Sequence, residues 1–397
     1  MGFVSFGMVL AGKKDKAAYD YGQLSLQLLE QVKDKETVSR INVCFYAHIY
    51  HSYASVHDSV EIFFNMTCTT LENGSHIDSI LCSDLFCQRA FLCGKLLSRL
   101  KEDIEELMSI LPRKTNVLQY VTQATCNLVD INTNNPAILC GTDFDCRLFL
   151  KNENKGFDVA YVSVIASFLA FLFHDFDTAL EMIDITKSMQ KHFPPTAFLW
   201  PIFYLFEGLI SLAFARRGLE VEKWTKRARY NILNLKKLCH DAPENFLNKY
   251  HFLQAELAAV QKNETQAIFH YKKAICLSTK NNFLHEGALA CERAGIFYLE
   301  LDSQEATVLL LQSYRGYNIW GATTKMNHLL QNYPFLKDKV DHQKMEPYST
   351  CKELRVSLPS QESVSLLTGD GNDESSLNLW EKQKRIRCST NRKEGTE

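Results

Sequence analysis

The stretch Glu244–Asn282, ENFLNKYHFLQAELAAVQKNETQAIFHYKKAICLSTKNN, holds two helical periods joined by a polar turn. In the first half Phe246, Tyr250, Leu253, Leu257 and Val260 recur three and four residues apart, which puts them on one face of an α-helix. KNET breaks the pattern. Beyond it Ala267, Tyr271 and Ala274 fall at i, i+4 and i+7. A small-large-small row of this kind lets two helices approach closely and interlock. The stretch therefore reads as a helical hairpin.

The same unit recurs on both sides. HEGALACERAGIFYLELDSQEATVLLLQSY, 285–314, places Ala294 and Phe297 before its turn and Ala306, Leu310 and Ser313 after it. Ala255 and Ala294 lie 39 residues apart, as do Ala267 and Ala306. An earlier copy, VAYVSVIASFLAFLFHDFDTALEMIDITKSMQKHFP, has Ser167 and Ala170 before HDFD, then Ala179, Ile183 and Thr186. One hairpin cannot bury its apolar face alone, whereas a stack can. The spacing exceeds the tetratricopeptide period of about 34 residues, so the turns or helices are longer. The fold class is all-α: an α-solenoid of degenerate tetratricopeptide-like hairpins over residues 1–336, irregular over 1–156 and clearer over 157–336.

Residues 130–156, rich in Asn, Asp and Gly, predict a loop with a short helix. Residues 337–397 predict a polar, mostly disordered tail, because SLPSQESVSLLTGDGNDESS and KQKRIRCSTNRKEGTE lack any period. Between them stands SYRGYNIWGATTKMNHLLQNYP, Ser313–Pro334. Gly321 suits the left-handed position just past a helix. Thr323 or Thr324 would cap the next helix, which would end before Pro334. Trp320 is expected to cover the open end of the stack.

Composition narrows the functional classes. A net charge of −2 provides no general field toward nucleic acid or an anionic membrane. Nine prolines and seventeen glycines in 397 residues are few, which favours long helices. Thirteen cysteines at irregular spacing, with no Cys-x-x-Cys pair, read as reduced buried thiols. The expected setting is cytoplasmic, with protein partners, no nucleic acid, no cofactor and no membrane span. The apolar start is followed, not preceded, by Lys13, Lys14 and Lys16, the reverse of a signal peptide. No stretch reads as the roughly 20 apolar residues that cross a bilayer.

Candidate chemistry is sparse. Gly94-Lys95 is the nearest approach to a phosphate loop, but Arg89 and Leu96 occupy its first Gly and hydroxyl positions. His48 and His51, with Cys44 one turn earlier and His57 beyond, have metal-pair spacing but no evident fourth ligand. Packed helix-face histidines are the better reading. Cys82, Cys87 and Cys93 are spaced too widely for a structural zinc site and read as small buried hydrophobes. From Asp370, Asn372, Glu374 and Glu381 fall at calcium-loop positions, but Ser375 replaces the required Gly. Lys382, Lys384, Arg385 and Arg387 form a basic run that reads as a solvated tail. No catalytic, cofactor or metal residue is assigned.

HDAPENFLNKYHFLQAELAAVQKN, AIFHYKKAICLSTKNNFLHEGALACERAGIFYL, SYRGYNIWGATTKMNHLLQNYP and GFVSFGMVLAGKKDKAAYDYGQLSLQLLEQ together resemble the helical region of large multidomain signalling kinases. In that family a Ser/Thr-kinase-like domain and an AAA-type ATPase module precede the region, and GAF and histidine-kinase domains follow. The resemblance implies a non-catalytic interaction or coupling module, present here without kinase or ATPase motifs. The alternative is a free-standing tetratricopeptide-like adaptor for a partner peptide or helix.

Overall fold

The computed structural model describes residues 1–342 except 32–33, 143, 153–155 and 219. Among the described residues there are eighteen α-helices and no strand. The irregular first part contains α1 (Gly2–Gly12), α2 (Ala17–Leu28), α3 (Lys35–His48), α4 (Val56–Glu72), α5 (His76–Leu92), α6 (Leu97–Ile110), α7 (Asn116–Val129) and α8 (Cys146–Asn152). Four long hairpins follow. They are α9 (Phe157–Leu172) with α10 (Phe176–Ser188), α11 (Leu199–Arg216) with α12 (Val221–Leu238), α13 (Pro243–Val260) with α14 (Glu264–Lys280), and α15 (Leu284–Glu300) with α16 (Glu305–Trp320). The short α17 (Thr323–Asn332) and α18 (Lys337–His342) come last. The fold is an all-α stack of hairpins.

One local device ends eight of these helices. The N–H groups of Asp15, Ser75, Lys95, Asp175, Asn263, Phe283, Ser303 and Ala322 each donate to the carbonyl five residues back. The residue before each donor has positive φ. This six-to-one closure occupies carbonyls that a helix end leaves unpaired. Only three of the eight left-handed residues are glycine; Lys14, His174, Lys262, Asn282 and Asp302 supply the rest. A sequence with few glycines can therefore still turn this often. Gly321 is one of the three, at φ +93°, as its place after the helix predicts.

Ala179, Ala255, Ala267, Tyr271, Ala274, Ala294 and Ala306 are all buried. The 39-residue register matches the second helices: Tyr271 and Ala274 correspond to Leu310 and Ser313, also buried. The left-handed residues Lys262 and Asp302, however, lie 40 apart. Counted from those turns, Ala255 pairs with Gly295 and not with Ala294. A Cβ on Gly295 would stand 2.7 Å from Leu310, so the close approach of α15 and α16 requires glycine there.

Several expectations need correction. Ala322, not a threonine, holds the N-cap position of α17, and no side chain caps it. The Thr324 hydroxyl is buried without a hydrogen-bond partner. Order continues past 336 into α18, because Leu336 packs with Leu310 and Leu329 in a small core of its own. The expected disorder of 343–397 lies outside the described residues, as do the calcium-like stretch and the basic run. The described residues of 130–156 form a loop with one short helix, α8, but Leu139 and Phe144 tuck into the core. Finally, α11 is long and apolar enough to cross a membrane by length and composition. In this fold 83% of that helix is buried inside the protein.

Candidate functional site

Three of the four first helices are covered almost from end to end, and α13 buries ten of its eighteen residues. Thirteen of the sixteen residues of α9, fifteen of eighteen in α11 and thirteen of seventeen in α15 are buried. The second helices α10, α12, α14 and α16 bury one stripe each. A face left open for a partner would leave the first helices half exposed. Here the N-terminal segments and α17 cover them.

Side-chain hydrogen bonds hold that cover in place. Asn245 of α13 donates to the carbonyls of His51 and Ala54, at 2.8 and 2.7 Å, and accepts from the Val56 N–H at 3.0 Å. The buried Arg89 of α5 donates to the Ala47 carbonyl and the Ser59 hydroxyl, with its guanidinium 4.8 Å from the Phe198 ring centre. Trp320 does not cover an open end. Its indole lies among α5, α9 and α15, 6.2 Å from the Phe168 ring and 5.2 Å from His285, and its N–H donates to the Lys95 carbonyl at 3.1 Å. Gly94, at φ +76°, brings the α5–α6 turn so close to α15 that a Cβ there would sit 2.1 Å from His285 Nδ1.

Behind this cover runs a row of buried carboxylates on the first helices: Glu207 on α11, Glu256 on α13, and Glu286 and Glu292 on α15. An isolated ion in a low-dielectric interior costs several kcal/mol, so each needs a partner. Glu207 accepts from Lys187 and Arg227, both at 2.7 Å. Glu256 accepts from Arg293 at 2.8 and 2.9 Å and from the Tyr271 hydroxyl at 2.8 Å. Burial alone would raise its carboxyl, but Arg293 and Arg216 hold it down at about 2. Glu286 lies 3.0 Å from Lys249 and 2.6 Å from Asn248. Glu292 meets Lys325 at 2.7 Å, His174 at 2.9 Å and the Tyr317 hydroxyl at 2.7 Å, and Lys325 also donates to the Leu172 carbonyl. Against the opposing effect of burial, Lys325 and His174 keep the Glu292 carboxyl well below the usual range. Chemically the row locks one hairpin to the next. Sequence reading missed all four residues. Their signal is a lone acid inside an apolar run, as in FYLFEGLISLAF, FLQAELAAV and ALACERAGIF.

The singled-out histidines and cysteines do not converge. His48 meets the Thr196 hydroxyl at 3.2 Å, His51 packs on Phe198 and His57 on Phe283. Among the described residues no three His, Cys, Asp or Glu side chains are grouped to hold a metal ion. Burial pushes the Cys82 and Cys93 thiols up to about 12, and that of Cys87 well above its usual value. A small pocket of about 170 Å³ is lined by Asn116, Phe149, Phe157, Asp158 and Val159. Pockets for small molecules usually run to about 300–1,000 Å³.

His51 and His285 are buried, and Nδ1 of each lacks a hydrogen-bond partner. Burial, then Lys249 and His57, lower the His285 pKa to about 3. Burial, then Arg89 and His48, lower that of His51 well below its usual value. On acidification the unfolded chain protonates both rings below about pH 6.5, while the folded chain does not. The unfolded state then binds more protons, so stability falls as pH drops from about 6.5 toward 3. Each ring should cost about 2 kcal/mol at pH 5 relative to pH 7. Urea denaturation at the two pH values measures this, and equal midpoints would refute it.

No protein-family model, curated protein or solved structure matches this chain. Fold and site define its class: a helical-hairpin protein whose polar interior groups bind its own helices together.

Proposed function

We propose that this chain is a non-catalytic helical interaction module, and that it couples flanking domains in a multidomain signalling kinase as the sequence resemblance implies. The observation that supports an interaction role is the division of labour between helices. The first helices and their charges are committed to internal packing, so recognition falls to the outward faces of the second helices. The kinase setting rests on the resemblance alone. A free-standing adaptor for a partner peptide or helix is the second reading, and the exposed face of α12 favours it. The non-catalytic part is tested by calorimetric titration of the purified chain with ATP and Mg²⁺. No micromolar binding is expected, and a micromolar affinity would overturn the reading.

A further inference from the structure

The second helix α12 turns a cationic face with two apolar side chains outward. Its inner stripe, Trp224, Ala228, Ile232 and Leu235, is buried. Trp224 stacks on Phe214 with ring centres 4.9 Å apart, and Arg227 is tied to Glu207. These contacts fix the rotation of the helix. Beyond Glu222 in its first turn, the opposite face therefore presents Lys226, Arg229, Tyr230, Leu233, Lys236 and Lys237 to solvent. Tyr230 and Leu233, one turn apart, are 54% and 58% exposed. No carboxylate among the described residues pairs with the four cations, whereas Lys223 at the start of α12 has Glu220 at 2.8 Å. Lys14, from the α1–α2 turn, lies near enough to Lys237 that the two ammonium groups repel. The outward face of α10, by contrast, carries Asp177, Glu181 and Asp184.

We propose that the outward face of α12 is a docking surface for an acidic peptide that folds as an amphipathic helix. The inference rests on the interaction-module reading above. Charge complementarity selects the partner: cations at both ends of an apolar pair match a segment with apolar anchors flanked by Asp or Glu. Exposed Tyr and branched aliphatic anchors fit helix-on-helix recognition at i, i+3 and i+4 spacing. Lys226 to Lys237 spans about 16 Å at 1.5 Å per residue, three turns of a partner helix. Two apolar groups are too few to hold a bilayer.

The test is selection of a displayed library of random peptides on the full chain. Counter-selection uses the variant Lys226→Glu, Arg229→Glu, Leu233→Ser, whose changes are all at exposed positions. Enriched peptides are expected to combine acids with apolar residues at helical spacing. In synthetic form they should bind the unaltered chain at least ten-fold tighter than the variant, and more weakly as salt rises. A Tyr230→Ala chain, matched in thermal melt to the unaltered protein, should also lose affinity, so the result does not depend on one variant folding. Peptides that bind chain and variant equally would overturn the α12 surface while leaving the interaction module standing. Enriched peptides without acids would also overturn it. So would binding of a single-stranded RNA oligonucleotide or phosphatidylserine vesicles through these residues in place of peptide. No enrichment of any sequence would overturn both readings.

Discussion

Truncating Trp320 to Ala is expected to lower the unfolding free energy by about 3–5 kcal/mol, the range for deleting a large core aromatic. The side chain is fully buried and touches α9 and α15 at once through Phe168 and His285. Its N–H also satisfies the Lys95 carbonyl, at the turn that leads from α5 into α6. Trp320→Phe keeps most of the volume and loses the hydrogen bond, so it should cost less, about 1–3 kcal/mol. Urea denaturation followed by circular dichroism orders the two variants. A Trp320→Ala midpoint indistinguishable from that of the unaltered chain would show that the C-terminal helices do not depend on this contact.

The second large effect is expected at Glu256. Glu256→Ala leaves the buried Arg293 guanidinium without its two-pronged acceptor and the Tyr271 hydroxyl without its acceptor. Breaking a buried ion pair from one side costs about 3–5 kcal/mol. Removing both charges costs less, because an apolar pair of similar volume can replace a buried pair at little net cost. Glu256→Ala with Arg293→Met should therefore be more stable than Glu256→Ala alone. A double-mutant cycle measures the coupling. Additive effects would mean that the two side chains act independently and that the row of carboxylates is not a lock.

Much of the fold was legible in single segments. The period in Glu244–Asn282, the small-large-small rows at Ala267 and Ala306, and Gly321 after its helix depend only on local geometry. Such signals repeat whatever lies across the interface. The 40-residue offset at the turns was harder to read, because the left-handed positions are filled by Lys262 and Asp302 and not by glycine. The site was barely legible. Glu256 looks like an ordinary polar position on a half-exposed helix until α13 is seen to be covered on its polar side as well. Tyr230 and Leu233 carry the opposite ambiguity: in sequence they look like core residues, yet they face water.

By itself the sequence determined three of the four long hairpins, those of α9–α10, α13–α14 and α15–α16, since these follow from apolar spacing along the chain, whereas the α11–α12 hairpin was not read. Only the tertiary structure decided what fills the space beside the first helices. Asn245 reaches His51, Trp320 reaches Lys95 and Lys325 reaches Leu172 across more than 150 residues of chain. No local period encodes such contacts. They depend on which distant surfaces can bury a charge or an indole together, and that is settled when the hairpins stack.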